Sequence, residues 1–195
     1  MSFQILSIKS HFPKKIENLN SLKFNDLNKR KLFRATGINK RYISSKNEDV
    51  ITLSIKSASK IIKNKFKNQI GFLFFVSQTS PYKFPSTACI LQDKLGLPKD
   101  IFAVDINMGC SGYIYALKLA SSFNKTKKKY GLIICSDTYT KFIDKNNKSC
   151  KPIFSDASTT TLLKISKKNS LKSFDFGTDG KGYKDFILPN NSKNM

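Results

Sequence analysis

Histidine occurs once in this 195-residue chain, arginine three times and tryptophan not at all. With His11 alone, and with Cys89, Cys110, Cys135 and Cys150 forming no CxxC pair, neither a zinc site nor a disulfide framework is expected. Acidic residues are also scarce: 13 Asp and Glu stand against 35 Lys and Arg, a formal net charge of +22. Such an excess is common in proteins that bind nucleic acid or a membrane surface. Bidentate recognition of phosphates and bases relies on arginine, however, and only Arg30, Arg34 and Arg41 are present. The lysines are spread among Asn and Ile along the whole chain, which reads as drift on solvated faces. Nucleic acid is therefore not expected as a partner, whereas acidic partners in general suit the charge. No apolar run approaches membrane-spanning length and the N-terminus lacks a signal-peptide pattern, so no membrane insertion and a reduced, cytoplasmic setting are expected.

What is present is an alternation of strands and helices in a chain 39% hydrophobic, long enough for one good-sized domain. Residues 1–8 read as a first strand and residues 22–32 as a short helix. Val50, Leu53, Ala58, Ile61 and Ile62 recur at helical spacing. Residues 71–76 form a continuously apolar run, the mark of a strand covered on both faces. A helix is expected over 87–95, capped by Ser86 and stopped by Gly96. Residues 101–106 and 130–136 read as further buried strands on either side of a helix over 113–123. Strands are expected again at 159–165 and 171–176, with a turn over 177–182. This order points to an α/β layered fold with parallel strands inside.

The stretch Asp105-Ile106-Asn107-Met108-Gly109-Cys110-Ser111-Gly112-Tyr113 joins the strand ending near Asp105 to the helix beginning near Tyr113. It sets Cys110 at a strand-to-helix junction between two glycines. Unpaired backbone N–H groups and the positive end of the helix dipole favour a thiolate there, so Cys110 is the candidate nucleophile.

Six blocks in register give the chain its likeness: Thr36-Gly37-Ile38 with Arg41, Gln78-Thr79-Ser80 leading to Phe84-Pro85-Ser86, Asp105 through Tyr113, Ser136-Asp137, Phe154-Ser155-Asp156, and Thr178 through Gly182. Together they resemble the N-terminal half of the ketoacyl-ACP synthase III family, in the thiolase-like superfamily. The resemblance implies a thiolase-like layered fold with a mixed, mostly parallel sheet covered by helices. It implies that residues 1–170 form the domain carrying the nucleophile and that residues 171–195 begin the connection to a second half. It further implies that Cys110 takes an acyl group from an acyl thioester and condenses it with malonyl-ACP, as in fatty acid biosynthesis. Acyl transfer to oxygen or nitrogen, or a non-catalytic truncated chain, is the alternative. No cofactor is implied: acyl-CoA and the phosphopantetheine arm of acyl carrier protein are substrates. Phe84 is expected near the acyl pocket of the other subunit of a homodimer, and Arg34 and Arg41 near the phosphates of the donor.

The sequence departs from the family in three places. The segment usually read as Phe-Gly-Asp-Gly-Ala is here Phe154-Ser155-Asp156-Ala157-Ser158, without either glycine. There is no tryptophan to stack on an adenine. The His and Asn of the family's second half have no counterpart, since His11 lies outside every matching block and reads as a surface residue.

Overall fold

The computed structural model describes residues 2–22, 24–62, 64–123, 127–144, 146–147, 149–166, 173–185 and 187. Strand β1 (Ser2–His11) is followed by β2 (Lys15–Asn18), helix α1 (Asp26–Thr36), β3 (Lys40–Ile43) and α2 (Val50–Ser59). Then come α3 (Asn64–Lys67), β4 (Ile70–Val76), α4 (Thr87–Lys94), β5 (Phe102–Ile106), α5 (Gly112–Ser122), β6 (Tyr130–Asp137) and β7 (Ala157–Ser166). Five strands make one sheet in the order β1-β7-β6-β4-β5, and β2 and β3 pair separately. β4 is parallel to β5 and β6, while β7 is antiparallel to both β6 and β1. Four of the five strands thus run one way, with β7 reversed.

The interior strand β4, Ile-Gly-Phe-Leu-Phe-Phe-Val, is buried at every residue because helices cover both faces of the sheet. Its side chains alternate between two cores. Leu73 and Phe75 meet Val50 and Ala58 of α2 and Ala88 and Leu91 of α4 on one face. Phe72, Phe74 and Val76 meet Ala116, Leu117 and Ala120 of α5 on the other. The fit is tight. A Cβ at Gly131 of β6 would stand 1.9 Å from the Phe72 ring, so only glycine lets that ring cross the strand. A second kind of contact joins α2 to β7: the Ser57 hydroxyl lies 2.9 Å from that of Ser158 and 2.7 Å from that of Thr160, all fully buried.

Several expectations shift. The first helix begins at Asp26, not Leu22, because the Asn25 side chain accepts from the Asn28 N–H and sets the N-terminus there; it ends where Gly37 takes φ +70°. β5, read as a buried strand, is half covered in the single chain, with Phe102 48% exposed; it lies at the edge of the sheet, the position that the resemblance to a dimeric family implies for it. Ser86 occupies the N-cap position of α4, but its hydroxyl lies 3.1 Å from Cys89 Sγ and caps no backbone N–H. The Asp105 carboxylate caps that helix instead, accepting from the Thr87 and Ala88 N–H groups at 2.7 Å each. Gly96 does end it, at φ +59°. Residues 173–176 are not a strand; Phe174 and Phe176 stack on each other, and Phe176 lies against Tyr115 of α5. Residues 171 and 172, where that strand and the expected second segment were to start, lie outside the described residues.

Candidate active site

The C-terminal ends of β4, β5 and β6 come together and feed three short segments, 77–80, 107–111 and 138–141, onto one end of the sheet. That end is where ligands collect in parallel α/β sheets. Cys110 lies in the middle segment, exposed, immediately before Ser111, the N-cap residue of α5. The Gly112 N–H donates to the Gly109 carbonyl at 2.9 Å and closes a turn around the cysteine. Gly112 has no room for a side chain: its Cβ would stand 2.4 Å from Val76 Cγ1 at the end of β4. Gly112 therefore lets the first turn of α5 sit directly on the sheet.

Around this turn the polar groups are tied to one another. Asp137, at the end of β6, accepts through Oδ1 from the Gln78 N–H at 2.9 Å, the Thr79 N–H at 3.1 Å, the Thr79 hydroxyl at 2.8 Å and the Ser77 hydroxyl at 3.1 Å. The Tyr139 hydroxyl donates to Gln78 Oε1, and its ring leans on Phe154 with centroids 5.0 Å apart. Burial raises the pKa of Asp137 above the usual carboxylate range even though these donors pull it down. Burial, followed by the charge of Asp137, pushes the Cys135 thiol up to about 12. Burial, Asp137 and Cys110 push the Tyr139 phenol up to about 12, so Tyr139 shares its surroundings with the candidate nucleophile. Asp156, fully buried, accepts from the Ser44 N–H at 2.7 Å and from the Thr140 N–H at 3.0 Å, anchoring the third segment.

The other expected site residues lie on other segments of the chain. Phe84 precedes α4 and is 84% exposed, so it is not a core aromatic. Arg34 is exposed in the last turn of α1. Arg41 is only 6% exposed: its guanidinium donates to Glu17 Oε2 at 2.6 Å and to the Phe154 carbonyl at 3.2 Å. Its charge serves the fold in this structure, joining β2 and β3 to the loop before β7. His11 lies among Lys56, Lys60 and Glu48, and burial, then the two lysines, lower its pKa. Those residues belong to α2 and its flanks, which cover the sheet face opposite α5. Where the two glycines are missing, Ser155 exchanges hydrogen bonds with the backbone of Tyr42, so a hydroxyl holds that loop instead of close backbone packing. Asp137, Gln78 and Tyr139 carried no assigned role in the sequence; a carboxylate at the end of an apolar strand facing a Ser-Gln-Thr turn was the available signal. Among the described residues no cluster of His, Cys, Asp and Glu could hold a metal, and no helix is long and apolar enough to cross a membrane.

Residues 104–180 match the family described as 3-oxoacyl-(acyl-carrier-protein) synthase III. The beta-ketoacyl-(acyl-carrier-protein) synthase III of Pectobacterium atrosepticum is 32% identical over 162 residues, which are 82% of this chain and 51% of the relative. That of Escherichia coli K12 is 29% identical over 194 residues, 97% of this chain and 61% of the relative. The crystal structure of a 3-oxoacyl-(acyl-carrier-protein) synthase III superposes with a TM-score of 0.86 at 31% identity, over 96% of this chain and 58% of the other. The chain spans about half the length of the curated relatives it matches, and over that length both sequence and fold are similar: it belongs to the 3-oxoacyl-(acyl-carrier-protein) synthase III family, with a thiolase-like fold.

Proposed function

We propose that this chain carries the nucleophile of a β-ketoacyl-ACP synthase III type acyltransferase of fatty acid or related lipid biosynthesis. The observation that carries the reading is Cys110, exposed in a glycine-flanked turn at the N-terminus of α5 and at the C-terminal ends of three parallel strands. Its thiolate attacks the carbonyl of an acyl thioester, forming an acyl-Cys110 thioester and releasing the donor's thiol. Malonyl-ACP then loses carbon dioxide, and the resulting carbanion attacks the acyl-Cys110 carbonyl. β-Ketoacyl-ACP leaves and the Cys110 thiolate is regenerated. The Cys110 N–H serves as one oxyanion donor. The exposed Arg34 suits the donor's phosphates, and a net charge of +22 suits an acidic carrier protein. A reduced cytoplasmic setting suits the four free thiols.

Residues 1–195 contain no histidine besides His11, which lies on the far face of the sheet. We therefore expect the 195-residue polypeptide to acylate Cys110 slowly without condensing it with malonyl-ACP. Removing one oxyanion donor alone typically costs roughly a hundred- to a thousandfold in rate. Mass mapping after incubation with an acyl-CoA, run beside an assay for β-ketoacyl-ACP, tests both halves of this statement. Acylation at Cys89, Cys135 or Cys150 in place of Cys110 refutes the assignment. Transfer of the acyl group to an oxygen or nitrogen acceptor without consumption of malonyl-ACP favours the alternative chemistry.

We also propose a homodimer through β5, whose outer edge is unpaired in the sheet, with the exposed Phe84 reaching the partner. Sedimentation is expected to show a dimer that Ala103→Pro dissociates: the Ile106 carbonyl faces the β4 side, so Ala103 and Asp105 alternate outward, and proline at 103 removes an outward-facing donor. A strictly monomeric wild-type protein at micromolar concentration refutes this.

A further inference from the structure

Asp137 touches nothing that reacts, yet a single oxygen of its largely buried carboxylate accepts from two backbone N–H groups and two hydroxyls of residues 77–79. The Thr79 hydroxyl accepts in return from the Thr138 N–H at 2.9 Å, so the ends of β4 and β6 are stitched together in both directions. The Ser77 N–H donates to the Ile106 carbonyl at 3.3 Å, which ties the same turn to the end of β5. The turn's middle residue, Gln78, places its Oε1 2.8 Å from where a Cβ on Gly109 would stand. It is held there from the other side by the Tyr139 hydroxyl. Gly109 is the residue before Cys110.

We propose that Asp137 is a positioning residue for Cys110: it fixes the 77–79 turn so that Gln78, braced by Tyr139, forms the wall on which the Gly109-Cys110 turn rests. The inference rests on Cys110 being the acylated residue. A buried carboxylate is costly unless its acceptors are used, and here the bonds fall on one oxygen. An amide oxygen supplies the same acceptor geometry without the charge. Loss of that acceptor leaves the Gln78 N–H without its partner and the Thr79 N–H with Ser77 Oγ alone, at 3.1 Å, and frees Gln78 to move; a displacement of about 1 Å beside a reacting atom costs up to roughly a hundredfold in rate.

The test uses the whole protein and four variants, Asp137→Ala, Asp137→Asn, Gln78→Ala and their Ala/Ala combination. The readouts are the acylation rate of Cys110 by acetyl-CoA, the melting temperature, and hydrogen exchange at the Gln78 and Thr79 amides. Asp137→Ala is expected to slow acylation by about ten- to a hundredfold and to speed exchange at both amides. Asp137→Asn is expected to stay within about threefold of wild type, because Oδ1 still accepts. Gln78→Ala is expected to reproduce part of the loss, and the combined variant to fall short of the product of the two single effects. Wild-type acylation by a folded Asp137→Ala protein overturns the proposal, as does an Asp137→Asn protein as slow as the alanine variant. If Asp137→Ala does not fold, Thr79→Val and Gln78→Ala decide, and wild-type rates in both overturn it. If the wild-type protein takes no acyl group at Cys110, the functional reading fails separately. The same series is then read through iodoacetamide alkylation of Cys110, where unchanged rates in Asp137→Ala overturn the positioning role.

Discussion

Gly112→Ala adds one methyl group at the point where α5 meets the sheet. The new Cβ would stand 2.4 Å from Val76 Cγ1 and 3.2 Å from Met108 Cβ, where ordinary carbon contacts lie at about 3.5–4.0 Å. Either Val76, only 5% exposed, or the first turn of α5 has to yield by about 1 Å. Overpacking of this kind costs about 1–3 kcal/mol. Alanine recovers up to about 1 kcal/mol of helix propensity over glycine, and less at a first helical residue. A net loss of about 1–2 kcal/mol follows. Val76→Ala removes the clashing Cγ1 and by itself costs about 1.6 kcal/mol for two buried carbons. In the double variant the clash is gone, so its loss is expected to be smaller than the sum of the single losses by about 1 kcal/mol or more. Urea unfolding of the four proteins supplies the cycle, and acylation of Cys110 follows the displacement of the turn that Gly112 closes. A stable Gly112→Ala protein, or strict additivity of the two changes, refutes the packing argument.

Asp105→Ala removes the acceptor for two N–H groups at the start of α4 and is expected to cost about 1–2 kcal/mol in urea unfolding, whereas Ser86→Ala is expected to cost little. Equal losses for the two changes would contradict the capping assignment. Cys135 supplies a pH dependence. Its thiol keeps its proton up to about 12 when folded but ionises near 9 when unfolded. The unfolded state therefore loses the proton first, and stability falls as pH rises through that window, by about 2 kcal/mol at pH 10.5. Cys135→Ala is expected to flatten this limb of the stability curve; an unchanged slope would show that the thiol is not its source.

Local patterns in the sequence were enough to find the elements around the nucleophile. The apolar run of β4, the spacing along α2 and the glycines beside Cys110 all describe what a segment needs from its immediate surroundings. Position within the sheet was not legible in that way. β5 is as apolar as a central strand, and only the pairing of β4 with β6 on its other side leaves β5 at the edge. The cap of α4 was misread for a related reason, since Asp105 lies 18 residues from Thr87 in sequence but within hydrogen-bond reach in space. Nothing near Arg41 in sequence announces Glu17 or the Phe154 carbonyl, so its pairing within the fold could not be read beside the expectation that it lies near the donor's phosphates. The polar setting of Cys110 was hidden likewise: Asp137 finds its partners 58 to 60 residues away.

The hydroxyl contacts between α2 and β7 have a consequence for inheritance. An apolar contact lets a helix roll by several degrees with little loss, but a hydroxyl pair 2.7 Å apart does not. Ser57 also reaches across more than a hundred residues of sequence to both Ser158 and Thr160. A change from Ser57 to alanine would strip Thr160 of that partner inside the core, whereas replacing Ser57 and Thr160 together by alanine and valine removes both groups and leaves Ser158 its bond to the Ser54 hydroxyl at 3.3 Å. These two distant positions are therefore coupled: in descendants of this sequence they should exchange as a pair, through intermediates less stable than either end.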